Sequence, residues 1–453
     1  MAKIVIIGAG MSGLSLGWYL RKYRPDRELL LLESSERAGG KAWTVEEDGF
    51  RCEKGVNGVL DNKPSTLGLA AELGLRPLKS SDSARRRYIV KNGSLIQLPE
   101  SPAAFLNTNL LSIKGRLRVL MEILAPGGDP ARDESLADFA RRRLGREAFE
   151  YLIDPMATGI FAGDPEKLSL RSCFPRIHEL ERDYGSLIKA MILLQRKARK
   201  QGRSGPGAGP GGVLTSFPKG MSELADTAAA ALAPHLRLNS PVASITRETG
   251  CWQVHLKSGE TVDCSHVILA CPAGPASEIL KNSAPKLSRL AGEITYPPVT
   301  VVSLGIKKGT TEHPLDGFGF LAPGREKHSI LGVLWDSSIF PNRSPDDYHL
   351  VRVLVGGART PDLARLKDRS VLDLVLRELK DLIGLKNIPE FIKIFRWEEA
   401  IPQYMVGHSA LENQIQSGLA THTGLFIRCN WIGGVSLNDC IANSQDLAEE
   451  LSR

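Results

Sequence analysis

The chain has 453 residues, of which 42% are hydrophobic and 24% are charged, a composition typical of a folded globular protein with room for two or three domains. A net charge of +7 would suit nucleic acid, an anionic membrane surface or a carboxylate substrate. Aromatic residues make up only 6% and do not alternate with basic ones, which argues against nucleic acid.

The seven cysteines are scattered along the chain, and none forms a close Cys-x-x-Cys pair. This pattern predicts reduced thiols in a cytosolic compartment and no metal site. The first strand is predicted to begin at about Lys3, which leaves no room for a signal or transit peptide. No apolar run reaches the ~18 residues that a membrane span needs.

A short apolar run, a glycine turn and a helix-like segment occupy the first 22 residues. Strand, turn and helix in this order are typical of a dinucleotide-binding βαβ unit. Gly8 allows the tight turn, Gly10 lets the backbone approach a pyrophosphate, and Gly13 lets the helix pack closely on the strand. The opening stretch therefore predicts a site for a dinucleotide cofactor.

Two further signals narrow the choice of cofactor. A second apolar strand ends at Glu33, roughly the ~20 residues downstream where an acid that binds a ribose is expected. Gly39 and Gly40 then form a second glycine pair with Lys41 beside it, which plain nicotinamide dehydrogenases do not need. Such a pair allows close backbone approach to a larger dinucleotide, with positive charge near its diphosphate. Together the two motifs favour FAD over NAD.

The next segments leave the nucleotide domain. Gly55 and Gly58 flank Asn57 in a loop whose backbone is expected to lie against something flat or anionic. A hairpin is predicted from Arg87–Val90 to Ser94–Leu98, because Asn-Gly lies between the two strands.

Residues from about 100 to 200 are predicted to be mostly helical. Three segments, 115–124, 136–144 and 188–200, combine apolar with basic residues, and the second contains Arg141, Arg142 and Arg143. Such helices either lie in a membrane interface or pack on their own core with solvated charges, and the pattern leaves both open. A Gly/Pro-rich loop is predicted over 203–212.

The second half of the chain alternates between two patterns. Strands between 236 and 272 predict that the nucleotide domain is discontinuous, and strands from about 295 to 356 predict an antiparallel sheet in a second domain. An amphipathic helix follows over Val371–Ile383. A glycine turn at 430–440 opens a final helix, whose N-terminus would stabilise negative charge on a reduced flavin.

These features together resemble the oxygen-dependent protoporphyrinogen oxidases, FAD enzymes of haem synthesis within the flavin amine oxidase superfamily. Residues 8–13 and 33–40 are shared by many flavin amine oxidase relatives. The matches specific to the narrower family are Gly159–Asp164, Leu168–Pro175, Gly317–Leu321, Ile401–Tyr404 with Gly407 and His408, and Gly434–Ile441.

The resemblance implies an α/β fold with a discontinuous Rossmann-like FAD domain of the p-hydroxybenzoate-hydroxylase type, a mixed-sheet substrate domain and a helical segment that docks on a membrane. The implied FAD-binding parts are 1–84, 213–280 and 397–453. Residues 85–212 would form the substrate and membrane-docking region, and 281–396 the remaining substrate domain. The protein would then be cytoplasmic, or peripheral on the cytoplasmic face of the inner membrane, with a homodimer as a possible assembly.

The family also implies the residues of the two sites. FAD is expected at Gly8, Ala9, Gly10, Met11, Ser12, Gly13, Glu33, Ser34, Gly40, Lys41, Gly55, Val56, Asn57, Gly58, Val242, Trp397, Val435, Ser436 and Leu437. The tetrapyrrole pocket is expected at Arg87, Gly159, Phe318, Gly319, Leu321 and Leu354. No arrangement of a nucleophile and a base is visible, so no catalytic residue is assigned, and His408 is interpreted as structural.

The implied reaction oxidises protoporphyrinogen IX to protoporphyrin IX: a methylene bridge gives a hydride to flavin N5, and O2 takes the electrons and forms H2O2. Arg87 would bind a substrate propionate through its bidentate fork and, two residues from Ile89, would share its side of the strand. The alternative for Arg87 is an exposed turn with Arg85 and Arg86, and Phe318, Leu321 and Leu354 are by residue type more typical of plain core.

Three alternatives are kept. Coproporphyrinogen III oxidases tend to carry Lys-Ser where this chain has Arg86-Arg87, and Pro-Asp-Cys where it has Asn438-Asp439-Cys440, so both differences favour protoporphyrinogen. An amine oxidase would be expected to flank its flavin with an aromatic pair, for which Trp431 alone is thin support. The last alternative is a non-catalytic FAD-binding partner protein of the haem pathway.

Overall fold

The computed structural model describes residues 3–129, 131–200, 212–248 and 250–453, and the loop expected over 203–212 lies outside the described residues except for Gly212. Within them the strands are β1 (Ile4–Ile7), β2 (Leu29–Leu32), β3 (Thr44–Glu47), β4 (Phe50–Glu53), β5 (Val59–Leu60), β6 (Leu78–Lys79), β7 (Arg87–Lys91), β8 (Ser94–Gln97), β9 (Leu214–Ser216), β10 (Leu236–Arg237), β11 (Val242–Glu248), β12 (Cys251–Leu256), β13 (Thr261–Cys264), β14 (His266–Leu269), β15 (Val299–Lys307), β16 (Gly319–Leu321), β17 (Gly332–Leu334), β18 (Tyr348–Gly356), β19 (Phe391–Trp397) and β20 (Leu425–Ile427).

The α-helices of the same residues are α1 (Met11–Tyr23), α2 (Ser65–Glu72), α3 (Pro102–Asn107), α4 (Ile113–Leu120), α5 (Leu136–Arg143), α6 (Arg146–Ala148), α7 (Asp154–Phe161), α8 (Leu170–Cys173), α9 (Pro175–Tyr184), α10 (Leu187–Lys200), α11 (Ser222–Ala231), α12 (Ala273–Leu280), α13 (Pro285–Gly292), α14 (Asp336–Ile339), α15 (Pro361–Ala364), α16 (Asp368–Ile383), α17 (His408–Leu419) and α18 (Leu437–Ser452). A 3₁₀ turn over Met121–Leu124 follows α4, and a π-helical turn over Phe149–Ile153 joins α6 to α7.

A parallel five-stranded sheet in the order β10-β2-β1-β14-β20 carries the opening glycine turn. Its strands come from three separated stretches of the chain, around residues 4–32, 236–269 and 425–427. β1 and β2 are buried along their whole length, because helices cover one face and the antiparallel sheet β11-β12-β13 covers the other. The carboxyl ends of these parallel strands meet at one edge, where a cofactor is expected.

The second large sheet has seven strands in the order β19-β15-β18-β17-β16-β7-β8. The antiparallel sheet expected near 295–356 forms its centre, and the predicted hairpin of β7 and β8 joins it through a parallel pairing of β7 with β16, which makes the sheet mixed. One face packs against α16 through buried side chains such as Val302 and Val353. The other face, called the inner face below, contacts β4, because the ring of Phe50 on β4 stacks on Phe391 of β19 at 4.2 Å.

The helical region between β8 and β9 contains its own core, and α5 belongs to that core rather than to a basic surface. Arg143 is fully buried and paired with Glu122, while Arg142 pairs with Glu134 and Glu181. For α5 the packing interpretation therefore holds. The side chains of α4, in contrast, include no buried residue.

Candidate cofactor and substrate site

The glycine turn after β1 brings strand and helix into direct contact. Gly8 has a φ of 106°, and a Cβ there would lie 2.8 Å from the carbonyl oxygen of Ala270. A Cβ on Gly13 would overlap the Gly8 carbonyl oxygen. Larger residues would therefore push α1 away from β1 and from the end of β14.

Gly10 differs from its two neighbours because a Cβ at this position would meet no atom within 4 Å. Gly10 is the N-cap of α1, no side chain caps the helix, and the first-turn N–H groups have no intrahelical partner. Gly39 forms an isolated bridge with Gly10, which places the second glycine pair beside the first. Open space beside such a helix N-terminus fits a diphosphate.

Glu33 lies at the end of β2 and faces the glycine turn. One carboxylate oxygen accepts a hydrogen bond from the Ala9 N–H at 2.8 Å, and the other accepts from the Ser35 N–H at 2.9 Å. Ser34, adjacent to it, is exposed. The N–H groups of Asn239 and Ser240 bond to backbone oxygens of Ser35 and Glu33, so the chain enters β11 beside this acid. That path places Val242, the first residue of β11, near the same end of the site.

The loop from Gly55 to Gly58 closes the opposite side of the site. Both polar atoms of the Asn57 amide are buried and have no hydrogen-bond partner among the described residues. Trp397 Nε1 donates to the Lys54 carbonyl oxygen at 2.7 Å, and the Val56 N–H donates to the Lys41 carbonyl oxygen at 3.2 Å. A buried amide without a partner is costly, so this loop fits a ligand with hydrogen-bonding edges.

Lys41 supplies a cation between this loop and the second glycine pair. Its ammonium lies 5.3 Å from the centre of the Tyr296 ring, and burial lowers the pKa of Lys41 to about 8. An anionic group beside it would favour the charged form.

A second helix N-terminus comes from the end of the chain. Val435 and Ser436 follow a glycine turn, and the Ser436 hydroxyl caps α18 by accepting from the Asp439 N–H at 3.2 Å, with Leu437 as the first helical residue. The glycine turn, the acid of β2, the unpartnered amide and this helix start all fit FAD. When FAD is bound, we expect these residues to hold it.

The expected substrate residues lie on the inner face of the seven-stranded sheet. Pairing places Leu321 of β16 opposite Gly332, Gly332 opposite Leu354 of β18, and Gly319 beside Arg87 of β7. A Cβ on Gly159 of α7 would lie 2.8 Å from a Leu321 methyl carbon, so this helix rests directly on the sheet. The result is an apolar surface that includes small residues, called the substrate wall below.

The three consecutive arginines are used differently. Arg85 pairs with Asp82 at 3.3 Å and Arg86 pairs with Asp316 at 2.9 Å. Arg87 has no ion pair among the described residues, and its guanidinium carbon lies 5.1 Å from the centre of the Phe318 ring. Arg87 is therefore the arginine of the three that is available to a substrate carboxylate.

The substrate wall and the Gly55–Gly58 loop are neighbours. Arg352 lies two residues from Leu354 on the same face of β18, about 7 Å along the strand. Its guanidinium donates to the Gly55 carbonyl oxygen at 3.2 Å and pairs with Asp336 at 3.1 Å. Burial raises the pKa of Asp336 and raises that of nearby Glu53 to about 7. This buried group joins the cofactor loop to the substrate wall.

The structure adds residues that the sequence analysis missed. Leu334 of β17 pairs with Gly319 and packs on the same buried cluster as Phe318, so it belongs to the substrate wall. The sequence contained a signal for Leu334, because Gly332 and Leu334 lie two residues apart on a strand and therefore share one face, as Arg87 and Ile89 do. Arg352, Asp336 and Glu53 carried no such signal, because they lie far apart in sequence.

Comparisons with known proteins agree with this geometry. Residues 11–450 match the sequence profile of the family described as flavin containing amine oxidoreductase. The chain belongs to this flavin-dependent family. It is 31% identical to the coproporphyrinogen III oxidase of Bacillus subtilis (97% of this chain, 95% of the relative) and 29% identical to protoporphyrinogen oxidase 2 of Arabidopsis thaliana (99% and 93%).

Solved structures show the same fold. A crystal structure from Exiguobacterium sp. 255-15 matches with a TM-score of 0.85 at 26% identity, covering 100% of this chain and 98% of that one. Reduced UDP-galactopyranose mutase matches with a TM-score of 0.76 at 16% identity, covering 100% and 95%, which shows the fold alone. The protein is an FAD-dependent oxidoreductase of mixed α/β fold, and the FAD cofactor expected from the glycine motifs is confirmed.

Proposed function

We propose that this flavin amine oxidoreductase family member oxidises protoporphyrinogen IX to protoporphyrin IX in haem synthesis. The observation that carries the proposal is the apolar substrate wall beside the Gly55–Gly58 loop, with Arg87, which has no ion pair among the described residues, at its edge. A flat macrocycle that bears carboxylates at its periphery matches that apolar surface and that charge. Relatives named protoporphyrinogen oxidase and coproporphyrinogen III oxidase, aligned over nearly the whole chain, support it.

In this proposal the residues of the chain bind and orient the substrate. FAD, when bound, supplies the acceptor for a hydride from a methylene bridge while a pyrrole N–H loses a proton to solvent, and O2 then takes the two electrons to form H2O2. Three such rounds, with three O2 consumed, remove the six electrons that separate protoporphyrinogen IX from protoporphyrin IX. Leu321, Leu334 and Leu354 exclude water and hold the macrocycle against the flavin, and Arg87 fixes its rotation through one propionate. No side chain is assigned a proton.

The cations beside the substrate wall favour protoporphyrinogen over coproporphyrinogen, which carries four propionates. Three cations of the inner sheet face share one row: Arg87, Arg352 and Lys393. Arg352 is buried and paired with Asp336, and Lys393 pairs with Glu47 at 2.6 Å. Among the described residues of this row, Arg87 alone is without an ion pair, so additional propionates would find no partner there.

Turnover of the two porphyrinogens tests this choice. Purified protein with FAD in air is expected to produce porphyrin fluorescence from protoporphyrinogen IX with a kcat/KM at least tenfold above that for coproporphyrinogen III. The reverse preference would assign the protein to the coproporphyrinogen oxidases. FAD binding without fluorescence from either substrate would support the non-catalytic partner protein instead.

The amine oxidase alternative loses its one supporting residue. Trp431 is fully buried, and its Nε1 donates to the Cys271 carbonyl oxygen at 3.0 Å. A side chain used in this way does not form the wall of an open substrate pocket.

We also propose that the surface around α4 and the following 3₁₀ turn docks on a membrane. Six apolar side chains of this surface are between 46% and 77% exposed: Ile113, Leu117, Leu120, Met121, Ile123 and Leu124. Helix α10 adds the exposed Ile192 and Leu193, together with several lysines and arginines. Apolar side chains next to basic ones fit an anionic lipid interface. Among the described residues, none of the helices has both the length and the apolar character that crossing a membrane requires. The homodimer stays a prediction.

The membrane proposal is tested with the double variant Leu120→Glu/Leu124→Glu. Its binding to vesicles that contain phosphatidylglycerol should fall at least tenfold in a sedimentation assay. Each of the two leucines would contribute about 1.5–3 kcal/mol to binding when it is buried in the lipid. Ile388→Glu is the matched control, since Ile388 is 75% exposed on a loop before β19. Equal loss in both variants, or no loss in the double variant, would contradict the proposal.

A further inference from the structure

The family-specific segment Ile401–Tyr404 runs between α7, which carries Gly159, and the glycine turn before α18. Gln403 is 4% exposed and Tyr404 is 2% exposed. The two neighbouring side chains contact different parts of the site: Gln403 contacts the end of α7, and Tyr404 contacts the turn before α18.

Gln403 holds the C-terminus of α7. Its Nε2 donates to the carbonyl oxygens of Phe161 and Ile401, each at 3.0 Å. Phe161 is the last residue of α7, and the last carbonyls of a helix have no intrahelical partner. The next residue, Ala162, ends the helix in the left-handed region at φ 48°. A Cβ on Gly163 would lie 2.5 Å from Gln403 Oε1, so there is no room for a larger residue at position 163.

Tyr404 holds the glycine turn before α18. Its hydroxyl donates to the Asn430 carbonyl oxygen at 2.9 Å and accepts from the Gly434 N–H at 3.1 Å. The phenol ring stacks on His408 at 3.8 Å, which fixes the direction of the hydroxyl. Gly434 has a φ of 124° and immediately precedes Val435, the first of the three expected flavin contacts in this turn. The one hydroxyl thus bridges both ends of the turn.

Adjacent residues in a buried segment cannot move independently. The shared backbone keeps the two anchors together, while each side-chain hydrogen bond holds only its own element, so loss of one bond loosens only the element that it held. Hydride transfer needs reacting atoms about 3–3.5 Å apart, and a misplacement of about 1 Å can cost about 100-fold in rate. A connection between substrate wall and flavin turn is therefore useful to the chemistry.

We propose that Gln403 and Tyr404 are paired positioning residues. Gln403 sets the position of the substrate helix that carries Gly159, and Tyr404 sets the position of the turn that contacts the flavin. The inference rests on the proposed function for the identity of the substrate, but the cofactor half concerns FAD alone. Neither residue is assigned contact with substrate or cofactor.

The test removes each polar group with little change in shape and measures both sites. Tyr404→Phe keeps the stack on His408 and should raise the Kd of FAD about tenfold, and change the visible circular dichroism of the bound flavin, while the Kd of protoporphyrin IX stays within twofold. Gln403→Met should do the opposite: about tenfold weaker protoporphyrin binding by fluorescence, a higher KM, and an FAD Kd within twofold.

Two controls remove the same groups elsewhere. Tyr348→Phe takes away a hydroxyl that bonds to Glu390 at the far edge of the sheet, and Gln97→Met takes away an exposed amide that bonds to Glu100 at 3.2 Å. Both are expected to leave the two Kd values unchanged. If Gln403→Met does not fold, Gln403→Leu removes the donor without adding a buried charge and gives the same expected result.

Variants that only lower the melting temperature, or that weaken FAD and porphyrin binding equally, would overturn the proposal. Failure of the proposed function shows differently, as wild-type protein that binds FAD but does not oxidise porphyrinogen. In that event the FAD Kd of Tyr404→Phe still decides the cofactor half. Absence of protoporphyrin binding by the wild type would overturn the substrate half.

Discussion

Replacement of Gly10 by valine should give a folded protein that carries no FAD. The backbone at Gly10 has φ −67° and ψ 179°, which valine adopts without strain, and a Cβ there meets no atom within 4 Å. The added side chain would instead fill the space in which the diphosphate approaches the first turn of α1. We expect the FAD Kd to rise at least about 100-fold, a loss of about 2.7 kcal/mol or more.

The measurement is the flavin absorbance of the purified variant after incubation with FAD, with thermal unfolding measured in parallel. Gly127→Val is the matched control, because a Cβ on Gly127 also meets no atom within 4 Å, on a loop remote from the glycine turn. Both apoproteins should unfold within a few degrees of wild type. A yellow Gly10→Val protein would show that the diphosphate lies elsewhere.

Arg87→Ala should weaken substrate binding and leave FAD binding unchanged. Arg87 has no ion pair among the described residues, so its removal costs the fold little, but it takes away the proposed partner of a propionate. A charge-assisted hydrogen bond contributes about 1.5–3 kcal/mol, which corresponds to a KM raised roughly 10- to 100-fold. Arg87→Lys should fall between, since lysine keeps the charge but loses the bidentate fork.

Steady-state kinetics with an independent FAD titration checks this expectation. Arg85→Ala is the control, because Arg85 is exposed and pairs only with Asp82 on the same turn. An unchanged KM in Arg87→Ala, or an equal change in Arg85→Ala, would return Arg87 to the exposed-turn interpretation.

Local signals in the sequence were enough to predict the cofactor turn, its acid and one hairpin of the second sheet. The glycine turn, the acid at Glu33 and the Asn-Gly hairpin each depend on a few neighbouring residues, and the structure has them as expected. Backbone geometry decides such features, since Gly8 needs a positive φ and Gly13 needs a missing Cβ.

Contacts between distant segments could not be predicted in this way. The composition of the basic run Arg141–Arg143 is typical of a protein surface, yet Arg143 is fully buried. Its charge is paired there with Glu122, which lies on a different helical segment and is not recognisable as a partner from the sequence. Arg352 likewise bonds to Gly55, almost 300 residues away. Which of three arginines is available to a ligand depends on Asp82 and Asp316, and only the fold brings Asp316 to that turn.

A porphyrinogen bound against the substrate wall should reduce the flavin directly. The decisive experiment mixes FAD-loaded protein with excess protoporphyrinogen IX in the absence of O2 and follows flavin absorbance. The yellow colour is expected to bleach without full porphyrin formation, because each flavin accepts two electrons and the porphyrin requires the loss of six. Admitting air should then restore the yellow colour and let porphyrin absorbance rise. A flavin that keeps its colour with substrate in excess would show that the porphyrinogen does not reduce it.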